Sequence, residues 1–343
     1  MAMHVSTSSF FSITRDSVME LQSKLSKAET EQSTGQFADP VEHLGSQLGL
    51  YETLQRQSAS LANIQSSNTI VQSTLSTSQD ALTQIAKDAQ SFVNVIITAQ
   101  SSDSFSTLPA QAQALLASLT SFLNSTSGGA YVFGGTNTTV KPIADYSQGA
   151  QAATAAAFQS AFGMSQSDPQ VNTISDTAMQ TFLTGPFANL FQGSDWSTNW
   201  SQASSTRTSA LIAPGNTVTT SVTANESAFQ DLANAYTSIG DLAIGNLGAT
   251  TQQAVLSNAL KLAGAALQGI TGLQTTLGIS QSQITNANSQ MQTQASLIDN
   301  WVSKLGAVDP YAAASSVTNL TTQLETAYSL TSRLSKLSLV NYL

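Results

Sequence analysis

Cysteine is absent from all 343 residues. That excludes disulfides, thiolate metal sites and a cysteine nucleophile. Histidine is nearly absent too: only His4 and His43 occur, neither near a Ser-Asp constellation. A catalytic triad or a zinc site needs more than this. Charge is scarce, at 9 % of residues, against roughly 25 % in an average globular protein. The 11 basic and 20 acidic residues give a net charge of −9. No basic patch is available to neutralise phosphates, which argues against nucleic-acid binding. Carboxylates such as Asp88 and Glu325 sit on helical patterns as ordinary solvated positions, and no pair stands out for acid–base work. Long apolar runs are missing as well; none approaches the ~18 residues of a membrane span. The opening "MAMHVSTSSFFSITRDSVMEL" lacks a basic segment followed by an apolar stretch. The expectation is a cytosolic chain, or one exported without a cleaved secretory signal.

What fills the chain instead is Ser, Thr, Gln and Asn, with 41 % hydrophobic residues. Such a surface is polar but neutral, and it carries little like-charge repulsion between copies. The dominant pattern is a heptad. Steps of four and three from Leu50 run through Leu54, Gln57, Leu61, Ile64, Asn68, Val71, Leu75, Ser78, Leu82, Ile85, Ala89, Phe92, Ile96 and Ala99. Only Gln57, Asn68 and Ser78 are polar. A seam of this regularity predicts one long helix, roughly 75 Å at ~1.5 Å per residue. A second seam runs from Leu256 through Leu260, Ala263, Leu267, Ile270, Gln274, Leu277, Gln281, Ile284, Asn288, Met291, Ala295, Ile298, Val302 and Leu305. Equal seams in the two halves predict antiparallel partners. Polar seam residues cost stability but fix register. Gly278 weakens its helix by ~1 kcal/mol relative to Ala, so a bend or a close contact is expected there.

Shorter helices are expected around this pair. Ala110–Asn124 has Pro109 in its first turn, and Ser227–Gly240 carries Phe229, Leu232, Tyr236 and Ile239 on one face. Both ends read as amphipathic helices, one with Val18, Leu21, Leu25 and Ala28, the other with Val317, Leu320, Leu324, Leu334 and Leu337 after Pro310. They are too short and polar to persist alone in water, so ordering on contact with each other and with neighbouring copies is expected. The segment from about 140 to 225 differs, with Pro142, Pro169, Pro186 and Pro214 and a strand–turn–strand signal in "RTSALIAPGNTVTTSV". The fold expected is mainly α, with an inserted α+β or β domain on a long antiparallel coiled-coil-like trunk. Its divisions are 1–40 plus 307–343 as a terminal layer, 41–139 plus 225–306 as the trunk, and 140–224 as the insertion.

The stretch "GGAYVFGGTNTT" invites a phosphate-loop reading, but Gly135 stands where a lysine is needed and no helix pattern follows. The dinucleotide spacing is absent as well. The preferred reading is a joint: Gly128 and Gly129 ending the preceding helix, Tyr131–Phe133 as a short strand, Gly134 and Gly135 opening a turn to Asn137. Trp196 and Trp200, four residues apart, suit a carbohydrate-binding face or, as the preferred reading, the core of the insertion. The four Asn-x-Ser/Thr sequons, at Asn124, Asn199, Asn225 and Asn319, are the chance yield of a Ser/Thr-rich chain. No catalytic residue, cofactor site or metal site is assigned. What remains is packing of apolar helical faces against copies of the same chain.

Four stretches resemble the flagellin superfamily, and within it the proteins of the hook–filament junction. They are "VSTSSFF…MELQSKLSKAETEQSTGQ" with its Thr34-Gly35 break, "GGAYVFGGTNT", "ANESAF" and the C-terminal "LETAYSLTSRLSKLSLVNYL". The last ends as junction proteins end, not in the Leu-Leu-Arg-like tail of flagellins. The resemblance covers about residues 5–140 and 224–343. It implies a non-enzymatic structural subunit of the bacterial flagellum, exported unfolded by the flagellar type III route and so extracellular. Its implied partners are copies of itself, an adjacent hook-associated protein, flagellin or other filament subunits, and an export chaperone masking the C-terminal helix. It implies neither nucleic-acid binding nor membrane insertion. The alternatives kept open are a filament subunit and, from another class, a glycan-binding or enzymatic module carried by the insertion.

The reading of the ends has a direct consequence. Limited proteolysis of the monomer is expected to cut within roughly the first 40 and last 35 residues and to spare the middle. Protected termini in a monomer would contradict ordering on assembly.

Overall fold

The two heptad seams become two continuous helices. The computed structural model describes the backbone of residues 7–102 and 105–340, and the side chains of 12–101 and 105–333. The long helices are α3 (Leu48–Ser102) and α10 (Ala249–Gly306). Before α3 come α1 (Thr7–Thr34) and α2 (Pro40–Leu44); after it comes α4 (Leu108–Leu123). A small hairpin follows, β1 (Thr126–Ser127) with β2 (Ala130–Tyr131). Then come α5 (Ala150–Phe162), α6 (Asp176–Thr184), α7 (Pro186–Asn189) and α8 (Gly193–Asn199). A second hairpin, β3 (Ser209–Ala213) with β4 (Asn216–Thr219), leads to α9 (Ser227–Asp241); α11 (Pro310–Val340) follows α10.

Contacts group the chain into two units, residues 1–63 with 291–343, and residues 64–290. Residues 140–224 share one continuous core with the flanking helices, from Leu75 and Phe92 through Phe158 and Trp200 to Ile270. They combine four short α-helices with the β3–β4 hairpin, as an α+β segment.

In the unit of residues 64–290, α3 and α10 run antiparallel. Leu75, Leu82, Ile85, Ile270, Leu277 and Ile284 are buried in the seam, while Ile64, Val71 and Leu267 are half-buried. Flanking the seam is a series of amide hydrogen bonds. Gln72 Nε2 donates to Thr285 Oγ1 (3.3 Å), Gln79 Nε2 to the Gln274 carbonyl (2.7 Å), and Gln100 Nε2 to Gln253 Oε1 (3.2 Å). The falling partner numbers are the signature of antiparallel pairing. Among the described residues, no ion pair joins α3 to α10. In a coiled coil the flanking positions usually hold Glu and Lys; here neutral amides take their place.

Long helices from a Ser/Thr-rich sequence need an explanation, since these side chains compete for backbone groups. Their hydroxyls turn back onto the carbonyl one turn earlier. Thr74 bonds Ile70, Thr83 bonds Gln79, Thr271 bonds Leu267 and Thr285 bonds Gln281, at 2.8–3.2 Å. The donor is satisfied without leaving the helix. Gly278 is neither a break nor a close contact: a Cβ there would meet only Gln79 Nε2, at 3.9 Å. The close approach lies at Gly269, where a Cβ would come within 2.8 Å of the Ala228 methyl. The bare backbone lets α9 press onto α10. That helix is buried on nearly every side, including Phe229, Leu232, Tyr236 and Ile239, as expected of an interior helix.

Segment 140–224 is held by a relay of aromatic rings. Centroids of Phe158–Phe162 lie 4.8 Å apart, Phe162–Phe182 5.1 Å, Phe182–Phe187 5.4 Å, Phe187–Phe191 5.1 Å and Phe191–Trp200 5.4 Å. Each such pair adds about 0.5–1.5 kcal/mol beyond its buried area.

Pairing through neutral amides has a measurable signature. The helical circular-dichroism melting temperature is expected to stay within about 3 °C between about 0.05 and 0.5 M NaCl, because no ion pair is there to be screened. A fall of more than about 5 °C would show that charges contribute to the pairing.

Candidate functional site

Two places in the chain bear on function, one in each unit. The first is the terminal helix pair. Gly35 ends α1 with a φ of 69°, its N–H bonding the Glu31 carbonyl (2.9 Å). That is the left-handed cap expected where a helix must stop. Asp39 then starts α2, its Oδ1 accepting from the N–H groups of Val41 and Glu42 with Pro40 in the first turn. The far end of α10 repeats the device. Asp309 Oδ1 accepts from Tyr311 N (2.8 Å), and Pro310 opens α11. The two elbows are tied to each other: Phe37 N bonds the Gly306 carbonyl (2.9 Å) and Val308 N the Gly35 carbonyl (3.0 Å). A Cβ at Gly306 would collide with Gln36 Oε1. These ties set α1 beside α11.

Along that pair, Val18, Leu21 and Leu25 of α1 and Val317, Leu320 and Leu324 of α11 are all half-buried. Gln22 Nε2 donates to Tyr328 Oη at 2.6 Å. Among the described side chains of the pair, only Ala28 and Ala313, next to the elbows, are buried. Leu334 and Leu337 fall outside the residues whose side chains are described. Large apolar groups remain in solvent on both helices, among them Met19 (51 % exposed) and Leu330 (52 % exposed). In the same unit Leu61 and Ile298 are buried, and Ser58 Oγ donates to Asp299 Oδ1 (2.9 Å). Trp301 on α10 is 61 % exposed.

The second place is the glycine stretch, in the unit of residues 64–290. Gly128 and Gly129 do not end α4, which stops at Leu123 with Asn124 as its cap. They form the two-residue turn of the β1–β2 hairpin, with φ values of 58° and 83°. Positive φ at both central residues is what such a turn demands. The strand is shorter than expected: it ends at Tyr131, and Val132 and Phe133 are buried beyond it. Gly134 and Gly135 are where the chain crosses itself. Gly134 bridges Thr223, Ser204 N bonds the Gly134 carbonyl (3.0 Å), and Thr136 N bonds the Thr206 carbonyl (3.1 Å). A Cβ on Gly135 would strike the Ser204 carbonyl and lie 2.7 Å from that of Thr206. Asn225, from "ANESAF", closes the crossing. Its Oδ1 accepts from Trp196 Nε1 (3.0 Å) and Ser201 Oγ (2.5 Å), and its Nδ2 donates to the Ala203 carbonyl (3.0 Å).

The remaining chemical candidates resolve into structure. Trp196 and Trp200 are buried and stacked at 5.4 Å, so they offer no exposed aromatic face. His43 stacks on Phe37 at 4.3 Å; His4 lies outside the described residues. Asn124 donates to the Ile143 carbonyl and accepts from its N–H, both at 2.9 Å. Asp88 accepts from Ser118 Oγ (2.6 Å). Tyr146 borders a groove of about 720 Å³ beside Gln113, Thr120 and Lys141. Burial, and then its hydrogen bond to Asp241 (2.6 Å), pushes its pKa up, so it stays a protonated donor. Among the described residues, no group of three or more His, Cys, Asp or Glu is placed to hold a metal. No helix among them is long and apolar enough to cross a membrane.

Residues 5–138 match the bacterial flagellin N-terminal helical region, and residues 260–343 match the bacterial flagellin C-terminal helical region. The chain belongs to the flagellin superfamily. The first match stops inside the glycine crossing, and the second begins within α10. A solved structure assigned provisionally as a flagellar hook-associated protein, from Vibrio parahaemolyticus, shares the fold. Its TM-score is 0.51 at 12 % identity, over 77 % of this chain and 99 % of that one. No curated protein sequence matches the chain. The flagellin family is structural and non-enzymatic, and its members self-assemble into flagellar structures. The chain is accordingly a structural component of the bacterial flagellum.

The sequence reading named the Thr34-Gly35 break and Pro310 but missed Asp39, Pro40, Gly306 and Asp309. The signal was present: Asp-Pro occurs at Asp39-Pro40 and again at Asp309-Pro310, each following a glycine by a few residues. The crossing also ranks the glycines. Gly135→Ala is expected to cost about 3 kcal/mol or more in denaturant unfolding, because the methyl meets fixed backbone. Gly128→Ala meets nothing and is expected to cost only about 1–2 kcal/mol of left-handed strain. Equal losses would show that the crossing is not tight.

Proposed function

We infer that this chain polymerises through its terminal helices and sits at the junction between hook and filament. The observation that carries the assembly half is the terminal pair: six large apolar residues half-covered by each other, with Met19 and Leu330 still in solvent. A helix pair this thin leaves apolar area for further copies to bury. Residues 1–40 and 307–343 are read as the assembly layer. Val18, Leu21, Leu25, Val317, Leu320 and Leu324, with Leu334 and Leu337 continuing the stripe, are read as its contacts. The buried α3–α10 seam is read as the scaffold, and residues 140–224 are read as the outward-facing insertion. Gly134 and Gly135 are the joint between scaffold and outward segment.

The junction half is supported by the C-terminal "LETAYSLTSRLSKLSLVNYL" and by "GGAYVFGGTNT". The likeness in fold to the Vibrio hook-associated chain favours the same reading. On it, the neighbours are a second hook-associated protein on one side and flagellin on the other. Export follows the flagellar type III route with a chaperone on α11, and the mature protein is extracellular.

Deleting the gene is expected to leave hooks in place while flagellin appears in the medium. Full-length filaments after deletion would overturn the junction reading. Immunolabelling along the whole filament, in place of one band near the cell, would make the chain a filament subunit instead.

A further inference from the structure

Asn68 occupies a seam position of α3 and is completely buried. Its Nδ2 donates twice, to Asn288 Oδ1 on α10 (2.7 Å) and to the backbone carbonyl of Ile212 on β3 (2.8 Å). Beside it the Asn288 backbone carbonyl accepts from Gln65 Nε2 (3.3 Å). The carbonyl at Ile212 is the informative one. In the hairpin, Leu211 pairs with Thr217 and Ala213 with Asn216, so Ile212 is the extra residue of a bulge. A bulge leaves its residue outside the ladder. The orphaned carbonyl is buried, and Asn68 satisfies it. The orientation of the amide follows: turned over, it would set oxygen against oxygen.

The arrangement costs stability. Asn68 Oδ1 is buried with no hydrogen-bond partner, a desolvation penalty that an apolar seam residue avoids. What is obtained in exchange is placement. The hairpin buries few side chains, chiefly Ile212 and Val218, and leaves Leu211 46 % exposed. Such an element has little holding it by apolar contact and belongs to the low end of local stability. One further hydrogen bond, from Ser280 Oγ on α10 to the Thr219 carbonyl (2.8 Å), holds its other strand. Each strand is therefore tied to a different long helix, Asn68 reaching β3 and Ser280 reaching β4.

We propose that Asn68 is a positioning residue that latches the bulge of the β3–β4 hairpin onto the α3–α10 pair. Hairpin seating and helix pairing then form one cooperative unit. The same side chain contacts both helices and the hairpin, so a shift of α10 past α3 strains the hairpin's attachment. Release of the hairpin, conversely, leaves a buried amide in the seam short of a partner. The latch fixes where the hairpin's outer face, with Leu211, stands relative to α3.

The test is amide hydrogen exchange on the full chain, comparing β3–β4 with the seam segments of α3 and α10. Asn68→Leu restores an apolar seam position. It is expected to keep or raise the helical melting temperature while speeding hairpin exchange, relative to the helices, by about tenfold or more. Ser280→Ala is expected to speed hairpin exchange as well, without raising the melting temperature. An unchanged hairpin-to-helix exchange ratio in Asn68→Leu would overturn the proposal. So would hairpin and helices loosening together, since Asn68 would then be an ordinary core residue. If Asn68→Leu does not fold, Asn68→Ala supplies the same ratio: a rise of about tenfold is expected, and no change overturns the latch.

Discussion

The antiparallel pairing of α3 with α10 is the contact on which the unit of residues 64–290 depends. It joins segments from opposite halves of the chain, so its loop-closure cost is met once and shared by every contact it permits. The apolar seam supplies the energy. Each buried Leu or Ile contributes about 1.5–3 kcal/mol, against about 1 kcal/mol net for a neutral hydrogen bond. Gln72, Gln79 and Gln100, with Asn68, therefore do less to hold the helices together than to align them. An amide bond is directional where apolar contact is not. With 9 % charged residues, the chain has no ion pairs to spare for this task, and alignment falls to amides. The interior helix α9, the aromatic relay and the β3–β4 hairpin all rest on this pair.

Where the chain must change direction, it uses a different tool. At Gly35 and Gly306 a long helix stops, and an Asp-Pro step within a few residues starts the next. The Asp takes up orphan N–H groups, and the Pro needs no N–H partner in a first turn. Two such elbows, cross-linked by backbone hydrogen bonds at Phe37 and Val308, place α1 against α11 without a large core. The glycine crossing serves the other unit in the same way. Gly134 and Gly135 allow three backbone segments to meet, and the Asn225 amide closes the gap between them. In both units positions are set by backbone hydrogen bonds, and at Gly134 and Gly135 a Cβ would meet fixed backbone.

Periodicity made the long helices legible, because a seam repeated over many turns leaves few alternatives. The β3–β4 hairpin was legible for a similar reason, with Pro214-Gly215 between two β-prone runs. Segment 140–224 was not. Its helices are short and its core is a relay of rings, so no stripe of one period announces them. Pro169 and Pro186 marked the segment only as different from the trunk; both open helical turns. Gly128 and Gly129 were misplaced because a glycine pair after a helix suits a cap and a hairpin turn equally. What separates the two is whether the flanking residues pair, as Thr126 does with Tyr131. The role of Gly135 was beyond sequence reasoning, since the clash that forbids a side chain comes from Ser204 and Thr206, far along the chain. At the terminal pair, the apolar stripes, the Thr34-Gly35 break and Pro310 were readable, but the backbone ties of Phe37 to Gly306 and Val308 to Gly35 join residues far apart in the chain and carry no sequence signal.

The contrast between seam and ends is one of how much apolar surface each has already buried. A buried seam residue such as Leu82 or Ile284 has exchanged all its water for protein and has nothing further to gain from a neighbour. Val18, Leu21, Val317 and Leu320 have exchanged only part of theirs, and the remainder is released only when another surface arrives. A terminal pair that satisfied itself would be stable and inert. The low charge acts in the same direction. Identical copies carry identical fields, and beyond about 8 Å at physiological salt a net charge of −9 spread over the chain is largely screened. Near contact, then, the copies meet neutral amides and hydroxyls that can bond to one another directly or through water. The neutral-polar composition that offers no basic patch to nucleic acid is also one that sets little like-charge repulsion between copies of the chain.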